Sequence, residues 1–203
     1  MERRKHSRRI ASRLIPRLSR FTALIAFLAT LLVLLGGFFQ FTLASDDQQP
    51  NAELNIQQLT SCYALGTDAI GIGDIQGGKK IYQNCFTPDA TITAIFPDGT
   101  TVIRNGPNSW ADYVASVFQG NRYVATQHLM GTINTIVTGN TATMTSYLLA
   151  THKRSDTSID VANGTYTDQV INQNGSWKIY NRTLKLITFL NLASPPSSPQ
   201  NTH

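Results

Sequence analysis

Apolar residues recur at helical spacing between Leu54 and Phe86. A glycine-rich stretch at 71–78 interrupts this pattern, and glycine is a poor residue for a helix interior. We therefore expect two helices joined by a glycine-rich loop. A third helix is predicted over "PNSWADYVASVFQ", where Pro107 stands near the first turn and Asn108 or Ser109 can cap it.

The rest of the chain has the composition and alternation of strands. "ATITAIF" and "TTVIR" flank the turn sequence "PDG" and predict a short hairpin. Four longer runs follow, connected by "TGN" at 138–140, a loop around 153–160, and "NGS" at 174–176, whose Asn-Gly pair is a strong hairpin signal. The order of elements predicts an α+β domain, in which about three helices pack on one face of a curved antiparallel sheet. Such a sheet forms a cone with an internal pocket.

The first long strand contains "VATQHLM" and the histidine His128. Strict alternation places His128 on one face with Met130, Thr132, Asn134 and Ile136, and it makes the opposite face more apolar. A mixed face of this kind suits a pocket with a few placed polar groups. It equally suits a half-exposed sheet surface.

An N-terminal membrane segment is predicted from residues 21–44, which follow a basic arm at 1–20. The uncharged run from Phe21 to Phe39 would span about 28 Å as a helix, close to the thickness of a bilayer core. This length favours a retained anchor, whereas "TLA" before Ser45 resembles the cleavage site of a signal peptide. In both cases the arm stays cytoplasmic. The domain is then extracytoplasmic, anchored in the membrane or secreted after cleavage.

The remaining segments divide into a linker at 45–53, a folded domain at 54–192 and a disordered tail at 193–203, rich in Pro and Ser. The net charge of +5 comes from the arm, because nine Lys and Arg face eleven Asp and Glu from Ser45 onward. The charge therefore predicts no nucleic-acid surface on the domain.

Five segments in this order resemble the nuclear-transport-factor-2-like superfamily, and in particular its SnoaL-like branch. They are "CYALGTD", "CFTPDATI", "TQHLMGTINTIVTGNTATMTSYL", "GTYTDQVI" and "GSWKIYNR". The resemblance covers about residues 54–190 and implies a cone-shaped sheet, with a homodimer formed through its convex face. The superfamily contains dehydratases, isomerases and cyclases as well as non-enzymatic modules, so the fold alone does not assign a function.

Within this branch, "TQH" resembles the corresponding strand of the scytalone dehydratase family. That resemblance implies that His128 is a catalytic base, that Asp68 on the first helix is its partner, and that His152 is a second catalytic histidine. If residues 71–78 are an insertion, Asp74 takes the place of Asp68 instead. The tyrosines that activate the substrate carbonyl in that family correspond here to Thr67 and Ala94.

A carboxylate bonded to one ring nitrogen of His128 would fix its tautomer and raise the basicity of the other nitrogen. Such a base removes a proton next to a carbonyl without any cofactor. The alternative is a solvated Asp68 and a His128 bonded to the backbone, and the charges after His152 suggest a solvated hairpin end. Arg104 and Arg182 are either pocket or surface residues. With two histidines in the domain and no paired carboxylates, no metal site is predicted.

Cys62 and Cys85 lie nearly symmetrically about the glycine-rich break. If the two helices fold back on each other, the cysteines come within the distance that a disulfide needs. An oxidising compartment would permit this bond, and two buried thiols are the alternative.

Two functions fit these observations. One is an exported domain that binds a small hydrophobic molecule in its cone pocket, and the membrane segment and the replaced tyrosines favour it. The other is a cofactor-independent lyase or isomerase that uses His128 and Asp68 as an acid–base pair, and the "TQH" strand favours it.

Overall fold

The computed structural model of the protein describes residues 49–155 and 158–193. The basic arm, the membrane segment at 21–44 and the tail after residue 193 lie outside the described residues. Within them, no helix combines the length and the apolar character that crossing a membrane requires. The elements in chain order are α1 (Gln49–Gly71), α2 (Ile75–Cys85), β1 (Phe86–Ile95), β2 (Thr101–Asn105), α3 (Pro107–Gly120), β3 (Ala125–Thr138), β4 (Thr141–Ser155), β5 (Ser158–Gln173) and β6 (Ser176–Ala193).

Helix α1 begins at Gln49, inside the segment predicted as a linker. Pro50 does not prevent this start, because a proline in the first helical turn removes an N–H that has no partner in any case. The break between α1 and α2 is also shorter than residues 71–78, the glycine-rich stretch from which a loop was predicted. Asp74 caps α2 by accepting a hydrogen bond from the backbone N of Gly77 at 2.9 Å, so Gly77 and Gly78 belong to the helix.

Gly78 lies where α2 packs against α1. A Cβ added to Gly78 would lie 2.7 Å from the carbonyl oxygen of Gly66 in α1. The absence of a side chain therefore lets the two helices approach closely. This contact holds α1 and α2 together as an antiparallel pair in front of the sheet.

The strands form one six-stranded sheet in the order β2-β1-β6-β5-β4-β3. All neighbours are antiparallel except β1 and β6, which are parallel. The prediction of an entirely antiparallel sheet is therefore wrong at this one junction. The meander of β3 to β6 would by itself leave β6 as an edge strand with unpaired N–H and C=O groups. The hairpin of β1 and β2 covers this edge, because β1 pairs with β6.

A bulge in β3 changes which side chains face the helices. Gly131 pairs with Tyr147 but Asn134 pairs with Thr145, and Thr132 has a φ of +44° between them. The extra residue reverses the alternation, so Ile136 is 61% exposed. The predicted common face of His128 with Thr132, Asn134 and Ile136 is therefore wrong, because strict alternation does not account for a bulge.

The core lies between the three helices and the inner face of the sheet. Helix α3 contributes Trp110, Val114 and Phe118, all buried on one side of the helix. The outer face of the sheet carries exposed apolar side chains, among them Leu129, Tyr147, Leu149 and Ile187. A shallow groove of about 560 Å³ runs over this outer face, and it contains no histidine or carboxylate.

Candidate functional site

A cavity of about 90 Å³ lies between α1, α3 and the inner face of the sheet. Its wall is mainly aromatic and aliphatic, and its polar side chains include Thr67, His128 and His152. The cavity is smaller than the outer groove, but it holds the titratable groups. We therefore locate the candidate chemistry here.

Asp68 and His128 are directly bonded at this cavity. Asp68 Oδ1 lies 2.7 Å from His128 Nδ1, and the backbone N of His128 donates to Asp68 Oδ2 at 3.2 Å. Thr126 Oγ1 donates to Asp68 Oδ1 at 2.9 Å. The side chain of His128 is only 6% exposed, whereas that of Asp68 is 26% exposed. The carboxylate thus reaches solvent while the imidazole faces the interior.

These contacts determine the protonation pattern of the pair. Burial raises the pKa of Asp68, but hydrogen bonds from His128 and Thr126 and the attraction of His128 outweigh it, so the net pKa is lowered. Asp68 is therefore an ionised acceptor, and Nδ1 of His128 must be the donor. In neutral His128 the other nitrogen, Nε2, is then unprotonated and available as a base.

The local sequence explains how the pair is held. Asp68 stands in the last turn of α1, and Thr126 and His128 are two residues apart on one face of β3. Gly71 ends α1 beside this strand, where an added Cβ would lie 2.1 Å from Thr126 Oγ1. The small residue therefore allows the end of the helix to rest against the strand that carries His128.

His152 belongs to the same wall, because it pairs with Thr126 across β3 and β4. It is 4% exposed, and its ring lies edge-on to His128 with centroids 5.4 Å apart. Burial and, to a lesser extent, the nearby His128 lower the pKa of His152 to about 4, so His152 is neutral near pH 7. The expectation of a solvated hairpin end is therefore wrong, because α3 and Phe189 cover this side chain.

A polar network centred on Asp160 lies beside His152. The Tyr123 hydroxyl and the Asn191 amide both donate to Asp160, and Arg154 Nε lies 3.1 Å from its carboxylate. Burial raises the pKa of Asp160, but the hydrogen bonds from Asn191 and Tyr123 and the charge of Arg154 outweigh it, so the net pKa is lowered. Asp160 is thus an ionised group that stabilises this end of the sheet, where its carbonyl oxygen lies 3.4 Å from His152 Nδ1.

Comparison with known proteins bears on this geometry. The family model of the SnoaL-like domain matches residues 48–183. This match covers more than half of the chain. The chain belongs to the SnoaL-like domain family. No curated protein matches the chain.

Solved structures share the fold of this SnoaL-like protein. A hexachlorocyclohexane dehydrochlorinase from Novosphingobium barchaimii is 19% identical over 76% of this chain and 99% of its own, with a TM-score of 0.60. A provisionally named scytalone dehydratase from Novosphingobium aromaticivorans is 18% identical over 76% of this chain and 99% of its own, with a TM-score of 0.56. A protein of unknown function from Mycobacterium tuberculosis is 26% identical over 79% and 84%, with a TM-score of 0.55.

The structure of this SnoaL-like domain also places the remaining candidates. Asp74 caps α2 and has no place in the cavity, which excludes it as the alternative to Asp68. Arg104 lies 4.8 Å from the ring of Tyr113 and donates to the carbonyl oxygen of Ile103. Thr67 and Ala94, which correspond to the tyrosines of the resembled dehydratase family, line the cavity.

Sequence reasoning did not assign Tyr63 and Tyr166 to the site, and it left Arg182 open as a pocket or a surface residue. Tyr63 and Tyr166 line the cavity, and Arg182 lies completely buried behind them. Both oxygens of Asp168 accept hydrogen bonds from Arg182 at 2.7 Å. The helical spacing of Tyr63 was a usable signal for its inward position. Arg182 carried no such signal, because arginine on a strand is most often exposed.

Cys62 and Cys85 form a disulfide between α1 and α2, with their Cα atoms 5.8 Å apart. The bond is one residue away from Tyr63 and therefore fixes the deep end of the cavity wall. Among residues 49–155 and 158–193, no group of three or more His, Cys, Asp or Glu side chains could hold a metal ion.

Proposed function

We propose that this protein is a cofactor-independent lyase or isomerase in which His128 acts as the general base. The observation that supports this most directly is the 2.7 Å hydrogen bond between Asp68 and His128 Nδ1 at the wall of a mainly apolar cavity. Asp68 fixes the tautomer and stabilises the imidazolium that forms when Nε2 takes a proton. A neutral His152 beside it offers a hydrogen-bond partner without a competing charge.

The proposed substrate is a small, uncharged, mainly hydrophobic molecule. The cavity volume of about 90 Å³ is below the roughly 150 Å³ of an apolar cavity that binds benzene, so a compact ligand is favoured. Its walls are mainly aromatic and aliphatic, and the buried cation Arg182 is already paired with Asp168. A charged substrate would therefore lose its hydration without gaining a partner.

The test measures proton abstraction directly, without knowledge of the natural substrate. Acetone and other small ketones are incubated with the protein in D₂O, and the exchange of protons next to the carbonyl is followed by NMR. We expect His128→Asn to slow protein-dependent exchange by about 10²- to 10⁴-fold, which is the usual contribution of a general base. Asp68→Asn should also slow it, because the wrong tautomer of His128 becomes favoured.

His152→Asn is the matched control, since it removes the other imidazole of the same wall. It should retain more activity than His128→Asn. Equal losses in the two variants would contradict the assignment of His128 as the base. A wild-type protein that accelerates exchange with none of the ketones would contradict the proposed proton abstraction from ketones.

A second candidate function is binding without turnover. The predominance of apolar side chains around the cavity favours it, because such a lining holds a hydrophobic molecule through burial alone. In that case ligands would bind with measurable affinity and the His128→Asn variant would bind them equally well, with no exchange in either protein.

We further propose that residues 21–44 anchor the domain on the extracytoplasmic side of a membrane. The disulfide between Cys62 and Cys85 supports this proposal, because such bonds persist in oxidising compartments. We also propose a homodimer through the outer face of the sheet. Leu129 and Leu149 pair directly across β3 and β4 on that face and are 52% and 43% exposed.

A further inference from the structure

Phe118, near the end of α3, lies between two separate spaces of the protein. One is the cavity of His128, with a volume of about 90 Å³. The other is a surface hollow of about 300 Å³, between the turn that joins α1 to α2 and the end of α3. Among the residues that the structure describes, Phe118 is the one that lines both spaces, and it is buried. The small cavity and the larger hollow therefore meet at this side chain.

The ring of Phe118 contacts one aromatic residue of each space. Its centroid lies 5.4 Å from that of His152, which lines the cavity, and 5.6 Å from that of Tyr123, which lines the hollow. Asp160 holds both neighbours, since its carboxylate accepts from the Tyr123 hydroxyl and its carbonyl oxygen lies 3.4 Å from His152 Nδ1. The side chain of Phe118 has no polar atom, so packing alone holds its ring in place. Phe118 is thus the part of this wall that can change without loss of a hydrogen bond.

The chemistry of the hollow suits an apolar chain rather than a charged group. Ile70, Ile75 and Ala115 contribute apolar side chains to it, and none of the described residues that line it is charged. Gly71 also lines it, at the position where an added Cβ would meet Thr126. The hollow therefore begins beside the strand that carries His128. Protein interiors contain few voids, so an open space directly behind a cavity wall is a specific feature of this site.

We propose that Phe118 is a specificity-determining residue, whose ring ends the cavity and restricts the ligand to a compact ketone. Without this ring, the same site accepts a ketone with an unbranched alkyl chain, and the chain extends into the hollow. This inference rests on the proposed function and names the residue that limits its substrate class. His128 lines the cavity and not the hollow. The carbonyl end of a longer ketone therefore stays beside the base, and only its alkyl chain passes the position of Phe118.

The experiment measures how binding depends on chain length in a series of methyl ketones from acetone to 2-heptanone. Their affinities for the wild type and for Phe118→Ala are determined by NMR titration. Each additional methylene that is buried should strengthen binding about fourfold. In the wild type this gain should stop within the first members of the series. In Phe118→Ala it should continue, so that 2-heptanone binds at least about tenfold more tightly than it binds the wild type.

Further variants test whether the alkyl chain enters the hollow. Gln119 is exposed and lines the hollow, so Gln119→Trp fills this space from the outside. Alone it should leave the series unchanged, and combined with Phe118→Ala it should restore the limit of the wild type. Phe96→Ala is the matched truncation, because Phe96 lines the cavity but not the hollow, and Gln119→Trp should not change its series. Phe118→Leu, a smaller loss of core volume, gives the same test if the alanine variant does not fold.

The outcomes separate this inference from the proposed function. If Phe118→Ala and Phe118→Leu keep the length limit of the wild type while acetone still exchanges its protons, the inference is overturned and the proposed function stands. A longer series that Gln119→Trp does not shorten also overturns it, because the chain then lies outside the hollow. If the affinities follow the expected pattern without proton exchange, the inference stands and the catalytic function is overturned. If no ketone of the series binds any of the proteins, both are overturned.

Discussion

His128 and His152 lie on the same wall of the cavity, but the groups that surround their rings are different. His128 has an ionised carboxylate at 2.7 Å, whereas His152 faces aromatic rings and the backbone carbonyl of Asp160 at 3.4 Å. The first arrangement supports a proton acceptor. The second keeps an imidazole neutral by burial. At the scale of residues, the proposed site therefore consists of one base and one uncharged partner, and the proposed roles follow from the groups that each ring contacts.

His152 should make the stability of the domain depend on pH. Its pKa is 6.5 in the unfolded chain and about 4 in the folded protein, so the unfolded state binds more protons between these values. The stabilisation is complete above pH 6.5 and is lost as the pH falls towards 4, by at most about 3 kcal/mol. Urea unfolding of the wild type and of His152→Gln across this range measures it.

The variant should show a flatter pH dependence in this window. Asp68 and Asp160 contribute to the pH dependence at lower pH. Folding lowers the pKa of each group, so the stability that each contributes is lost only as the pH falls far enough to protonate the carboxylate. An unchanged slope in His152→Gln between pH 6.5 and 4 would assign the dependence to another group.

At the scale of elements, the end of α1 and the start of β3 form one unit. Gly71 has no side chain, Thr126 occupies the space beside it, and Thr126 donates to Asp68. Any group added at Gly71 must displace Thr126 or the helix end. The carboxylate of Asp68 is therefore sensitive to a substitution at Gly71, which does not itself line the cavity.

We expect Gly71→Ala to lower the free energy of unfolding by about 1–3 kcal/mol, because the added methyl overpacks against Thr126. It should also slow the ketone exchange reaction, since Asp68 loses a hydrogen bond. Gly120→Ala is the control, because nothing lies within 4 Å of an added Cβ at that helical position. Equal stabilities of the two variants, from chemical denaturation, would show that the contact at Gly71 relaxes freely.

The sequence predicted the elements better than their connections. Helical spacing located three helices, and Asn174-Gly175 is a turn in which both residues have positive φ. The pairing of β1 with β6 joins residues about ninety positions apart, and local patterns do not report such contacts. The bulge near Thr132 and the burial of Arg182 also depend on neighbours across the sheet. Asp68 and His128 came from the resemblance to a family rather than from spacing.

At the scale of the whole molecule, the sheet has two different faces. The inner face carries the cavity, and the outer face carries exposed apolar side chains that water does not favour. A stable dimer buries roughly 800 Å² on each partner, which requires most of such a face. The same sheet would thus serve ligand binding on one side and association on the other.

We expect Leu149→Arg to convert the proposed dimer into a monomer, because the charge would be buried in the interface. Sedimentation velocity of the wild type and the variant measures this change. Ile72→Arg is the control, since Ile72 is 69% exposed in the turn between α1 and α2 and does not belong to the sheet. A monomeric wild type at micromolar concentration would contradict the proposed homodimer.

The position of β6 also governs when the domain can assemble. This strand is the last 18 residues of the described fold, and it lies between β1 and β5. In a chain exported N-terminus first, Cys62 and Cys85 emerge early, so their bond can close while the sheet is still incomplete. We expect β1 and β5 to keep open edges until β6 arrives. A chain interrupted before Ser176 would therefore remain exposed to proteases.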